Sequence, residues 1–219
     1  MDARAAADLE ELARRDDALS AAAKRLRALD ARVAAIRARC EAIDSFFAAY
    51  PEEEARLREQ LAGAKDEQAR REDELAAAER ELASARDAET RERAESVAAR
   101  ARDHVAVAQA RVARAADAAA ELERDAAALT QEVPELEAEA RDVAAQVADV
   151  PPAPAGVREL AEWASRAHAE LFVAAGQLDA QRDRVIREAN ELATMLLGEP
   201  TYGSSVAQLA QRVLPLARE

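Results

Sequence analysis

The chain predicts an all-α fold, an elongated antiparallel coiled coil, on three observations. Apolar side chains recur every seven residues, as in Leu12, Leu19, Leu26, Val33, Cys40 and Phe47, with Leu29, Ile36, Ile43 and Tyr50 as a companion series three residues on. Such a repeat lays one stripe of a helix against a partner helix. Only 3% of the 219 residues are aromatic and alanine is the commonest residue, a mixture that suits long, closely approaching helices better than a round core. Five glycines leave few points at which the chain can turn.

The first helix is expected over residues 3–49, where neither proline nor glycine interrupts the heptads. Tyr50-Pro51 reads as its end and as a tight hairpin, because proline fits a first helical position and Glu52, Glu53 and Glu54 then face the positive end of a new helix. Phe46, Phe47 and Tyr50 gather three of the six aromatic residues there as hairpin-turn aromatics. From Glu52 to Val147 only Gly63 and Pro134 interrupt the sequence, which predicts one central helix of about 95 residues, about 140 Å long. Gly63 and Pro134 read as tolerated defects or kinks within it.

Two heptad registers lie within that stretch. Leu57, Leu61, Ala64, Leu75, Ala78, Leu82 and Ala85 form the first, and Val105, Ala108, Val112, Ala115, Leu122, Leu129 and Leu136 belong to the second, shifted by two residues. The shift falls in the polar residues 86–95 and reads as a change of partner, the first helix covering one half and a later helix the other. The alternative is a break within 86–95 that folds the chain into a compact helical bundle. Pro151-Pro152-Ala153-Pro154-Ala155-Gly156 cannot continue a helix and reverses the chain. A third helix, with Val157, Ala164, Leu171, Leu178, Val185 and Leu192 seven apart, then lies back along residues 110–150 and stops at Gly198. The expected organisation is an N-terminal antiparallel hairpin over 1–98, a second hairpin over 99–198 sharing the central helix, and a short amphipathic helix within 199–219.

That last segment, Tyr202-Gly203-Ser204-Ser205 through Pro215-Leu216, carries a serine cap and puts Val206, Leu209, Ala210 and Val213 on one face. It either docks on the rod or grips another protein through Val206, Leu209 and Val213. Trp163 and Phe172 flank the third seam, where a large aromatic either shields the seam or marks a partner contact.

The net charge is −13 and is concentrated centrally: residues 51–100 carry ten basic against fifteen acidic side chains, and 101–150 five against eleven. Nucleic acid needs a basic stripe, and the one cluster, Lys24, Arg25, Arg27, Arg32, Arg37 and Arg39, is interleaved with acids, so direct binding is not expected. Anionic membrane is repelled by the same surface, and no run of eighteen apolar residues exists. Met1-Asp2-Ala3-Arg4 opens no secretory signal, and the single Cys40 falls in the heptad series as a small buried residue, so the expected setting is cytoplasmic. Lysine is reduced to Lys24 and Lys65 beside abundant arginine and alanine, as in GC-rich bacterial sequences.

Neither His104 nor His168 stands in a Glu-x-x-His pair, Ala101 and Ser165 preceding them, and the expected fold keeps them far apart, with His168 opposite residue 139. Carboxylates such as Glu67 have arginines such as Arg71 one turn away, as an exposed coiled-coil face requires. No phosphate loop, dinucleotide fingerprint, nucleophile elbow or His-Glu-x-x-His occurs, and Ser204 and Ser205 read as a cap. No enzymatic activity, metal or cofactor is expected.

On its heptads the chain resembles the arm regions of SMC-type chromosome-segregation proteins, long antiparallel helical pairs, which implies an accessory role in chromosome organisation without the nucleotide-binding head. In length and helical hairpin it is also similar to phage-shock-type membrane-remodelling proteins, which implies a peripheral membrane role. Those proteins open with a membrane-binding amphipathic helix, whereas residues 1–24 here set Leu9, Leu12 and Leu19 among Asp8, Glu10, Glu11, Asp16 and Asp17 without an aromatic. The function expected from the residues themselves is a non-enzymatic structural or adaptor protein. It would act by protein–protein interaction or coiled-coil assembly, with an unidentified protein partner and the option of a homodimer.

Overall fold

The computed structural model describes residues 3–201 and 204–213. Met1, Asp2, Tyr202, Gly203 and the expected tail residues Leu214, Pro215 and Leu216 lie outside the described residues. Among the described residues the chain is all-α, with four helices and no strand: α1 (Ala3–Ser84), α2 (Ala88–Gln146), α3 (Val157–Leu197) and α4 (Val206–Val213).

The expected hairpin at Tyr50-Pro51 is not present: α1 runs through Pro51. Proline in a helix interior removes one backbone hydrogen bond and crowds the preceding turn, at a cost of about 3 kcal/mol. What offsets it is the register. Seven, fourteen and twenty-eight residues beyond Tyr50 come Leu57, Ala64 and Ala78, and fourteen beyond Phe47 comes Leu61, so the heptad register crosses Pro51 in phase, interrupted at Glu54 and Arg71. Phe46, Phe47 and Tyr50 therefore stand on the side of a continuous helix and cap no turn.

The reversal lies instead at Ala85-Arg86-Asp87. The Ala85 amide donates to the Leu82 carbonyl at 3.4 Å and Ser84 Oγ to the Glu81 carbonyl at 2.9 Å, which tightens the last turn of α1. Asp87 then caps α2, its Oδ1 accepting the Thr90 amide at 2.8 Å while Thr90 Oγ1 donates to the Asp87 carbonyl at 3.2 Å. These donors favour the ionised form and hold the Asp87 carboxyl below the usual carboxylate range. The central helix of residues 52–147 is thus divided within the register shift, where the bundle alternative put its break.

The chain divides into two compact units, Met1–Glu41 with Pro134–Glu219, and Ala42–Val133. The unit Ala42–Val133 is an antiparallel hairpin of the second half of α1 and most of α2. Its sense is set by Arg102–Glu79 at 3.0 Å and Arg111–Glu67 at 2.9 Å, two ion pairs whose members converge toward the reversal. Its seam is thin. Near the reversal Ala78, Ala98 and Ala101 are buried, with Leu75 and Leu82 packed on them only partly covered.

In the other unit three helical segments lie side by side. Arg32 of α1 bonds Glu139 at 3.0 Å and Asp142 at 2.9 Å on α2, while Arg182 of α3 bonds Asp16 at 2.7 Å and His168 of α3 bonds Asp30 at 2.5 Å. Both α2 and α3 are therefore antiparallel to α1 and parallel to each other. Residues 147–156 must run back along the unit to allow this. They are fastened at both ends: the Gly156 amide donates to Glu137 Oε1 at 2.9 Å and Trp163 Nε1 to the Pro151 carbonyl at 2.8 Å. The expected third helix exists and ends at Gly198, in the left-handed conformation at φ 71° with its amide on the Thr194 carbonyl. Its pairing differs from the expected antiparallel one along residues 110–150: the side-chain contacts of α3 reach residues 16–30 of α1, and α3 runs parallel to the end of α2.

α4 is short and marginal alone, and an apolar face packed on the bundle holds it. Val206, Leu209, Ala210 and Val213 close a core with Ala6, Leu9, Ala189 and Ala193. Ser205 and Gln208 cap it reciprocally, the Gln208 amide donating to Ser205 Oγ and the Ser205 amide to Gln208 Oε1.

Candidate interaction surfaces

A helical chain of this kind presents chemistry only where side chains escape the seams, so each expected site residue is judged by what already covers it. Trp163 is 1% exposed and its indole N–H is taken by Pro151, so it fills the bundle and ties the linker to α3. Val206, Leu209 and Val213 are fully buried against α1 and α3. Of the two alternatives for the short helix, the face docks on its own chain.

Phe172 differs. It is 70% exposed on α3, its ring 6.4 Å from that of His168, which Asp30 holds in place. Beside it lies a shallow groove of about 350 Å³ floored by Leu171, Ala175 and Gly176 and bounded by Arg27 and Asp179, themselves ion-paired at 2.5 Å. Leu171 is at the bottom because it continues the buried heptad of α3, and Phe172, one residue on, points the other way.

In the hairpin unit Phe46, Phe47 and Tyr50 form a mutual cluster, with Phe46 edge-on to Phe47 at 5.4 Å and 6.0 Å from Tyr50. A single turn of α1 places them together, and Leu122 of α2 lines the groove beside them. Phe46, Tyr50, Glu52, Glu53, Arg56 and Leu122 line a groove of about 410 Å³. Glu53 is paired with Arg56 and Glu54 with Arg58, so this rim is largely neutralised within its own helix. Phe47 is 38% exposed.

The heptads gave no warning of the exposed apolar side chains Val97, Val107, Val173 and Met195. They fall between seam positions and are visible only by asking which apolar residues the seams leave unused.

Two arginines serve helix pairing. Arg32, fixed by Asp142 and Glu139, and Arg182, fixed by Asp16, have their guanidinium pKa raised further by those carboxylates. Asp16 is the one buried charged side chain among the described residues, and Arg182 neutralises it. His104 is exposed on α2, and His168 faces Asp30 of α1 rather than residue 139. Among the described residues no three metal-ligating side chains converge, and no helix is long and apolar enough to cross a membrane.

In comparison with known proteins, no family model, curated protein or solved structure matches the chain.

Proposed function

We propose that the chain is a non-enzymatic coiled-coil scaffold that works by associating with other protein chains. One observation carries this reading. Ion pairs such as Arg32–Glu139, Arg111–Glu67 and Arg182–Asp16 join helix to helix, while the large apolar side chains Phe172, Val173, Val107 and Met195 stand more than half exposed. Adjacent exposed apolar side chains such as Phe172 and Val173 on α3 suit a protein interface.

The test is affinity capture from the native host with the full chain, read against a Phe47→Glu/Val107→Glu/Phe172→Glu variant, with each captured protein retested in purified form. A scaffold retains at least one purified partner that the variant loses. Equal capture by wild type and variant, with no purified binder below about 100 μM, would contradict it.

A further inference from the structure

Beneath its buried seam, α3 carries a second heptad on the side facing solvent. Ala169, Val173, Gly176 and Ala180 stand alternately four and three residues apart, and every one is exposed, Val173 to 54%. Phe172, 70% exposed, flanks them. An unpaired coiled-coil seam on a helix whose opposite face is already filled is a surface built for a further helix.

Gly176 sharpens this. It lies inside a regular helix without positive φ, where glycine is disfavoured relative to alanine, and a Cβ built on it meets nothing within 4 Å. Nothing inside the chain therefore calls for glycine. Its bare backbone leaves room for a close approach from outside.

The charges at either end of the seam identify the partner. Extending the spacing toward the N-terminus gives Arg166 and then Glu162, and toward the C-terminus Asp183 and then Arg187, all exposed. When two copies of α3 cross antiparallel about a two-fold axis between residues 174 and 175, Ala169 meets Ala180 and Val173 meets Gly176. The same axis sets Arg166 against Asp183 and Glu162 against Arg187, opposite charges at every end position. A parallel pairing would stack each charge on its own kind. The seam is thus self-complementary in one orientation, the condition for an isologous interface.

We infer that the exposed face of α3 is a homodimer interface in which a second copy of this chain packs antiparallel, Val173 of one copy over Gly176 of the other. This deepens the scaffold reading, on which it rests, by naming the partner.

Sedimentation velocity of the full chain over a concentration series tests it, with circular dichroism as the check on folding. The wild type is expected as a dimer. Gly176→Leu is the informative variant, because the fold offers it room and helix propensity favours it, yet it blocks the crossing. Its dimer dissociation constant should rise about tenfold or more, and Phe172→Glu/Val173→Glu should be monomeric. Arg166→Asp should weaken the dimer, and adding Asp183→Arg should restore it. A monomeric wild type at 100 μM, a dimer indifferent to Gly176→Leu, or a double charge swap that fails to restore association would each overturn the inference. Host-partner capture by a monomeric wild type would leave the scaffold reading standing while this interface fell; loss of both would remove the two together.

Discussion

The two units are built on one heptad repeat and reach different degrees of burial. Where α1 meets both α2 and α3, Leu29, Val33, Ile36 and Cys40 are at most 4% exposed. Further along the same stripe, where α2 is the single neighbour, Leu61, Leu75 and Leu82 remain partly exposed and the fully buried contacts near the reversal are alanines. A heptad therefore announces that a face is paired, and the number of neighbours decides how much apolar surface leaves water. Since stabilisation follows buried apolar area, the three-helix unit should be the more stable and the hairpin the more easily opened.

The sharpest way to break this contrast is in the three-helix core. Trp163→Ala removes the largest fully buried side chain and the hydrogen bond to Pro151, and should lower that unit's stability by about 3–5 kcal/mol in denaturant unfolding. A loss below about 1 kcal/mol would mean that the indole is not part of a packed core. Leu209→Ala comes next: it removes the largest of the buried side chains that hold α4, so about 2–4 kcal/mol should disappear and amide exchange across Val206–Val213 should accelerate. In the hairpin Leu75→Ala, at a half-covered seam position, should cost only about 1 kcal/mol. If it cost as much as Trp163→Ala, the difference between the units would be wrong.

The smallest effect is at the reversal. The Asp87 carboxyl titrates lower in the folded chain than in the unfolded one, so its contribution is present above the ordinary carboxylate range and is lost as pH falls through the folded value. The Thr90 amide resonance should follow that titration. Asp87→Asn, which can still cap, should keep the turn and abolish this pH dependence, while Asp87→Ala should fray the first turn of α2 at every pH.

Much of the fold was legible because heptads report helices directly. The helical class, the linker at Pro151–Gly156 and the stop at Gly198 followed from periodicity, proline and glycine. The error at Pro51 came from ranking a local breaker above register. Tyr50 and Leu57 are in phase across it, and a seam kept in phase offsets one lost hydrogen bond. Conversely, the two-residue shift at 86–95 was the mark of a broken helix. It read as a change of partner because no glycine or proline accompanies it, and the cap formed by Asp87 with Thr90 is an inconspicuous turn signal. The candidate surfaces were legible only in part. Phe172 was visible as an aromatic outside the strict seam, whereas Trp163, Leu209 and Val213 could be assigned inward only once α3 was seen on the first half of α1.

The reversal at Ala85–Asp87 is the claim from which the hairpin unit follows, and one distance measurement tests it directly. In a Cys40→Ser background, spin labels at Glu67→Cys and Arg111→Cys report whether the facing residues of the observed 2.9 Å ion pair are neighbours. A separation below about 25 Å, set by two packed helices and their labels, is the expected result. A separation near 66 Å, the rise of about 44 residues of one straight helix, would show that the chain continues through residue 87 and would contradict the account.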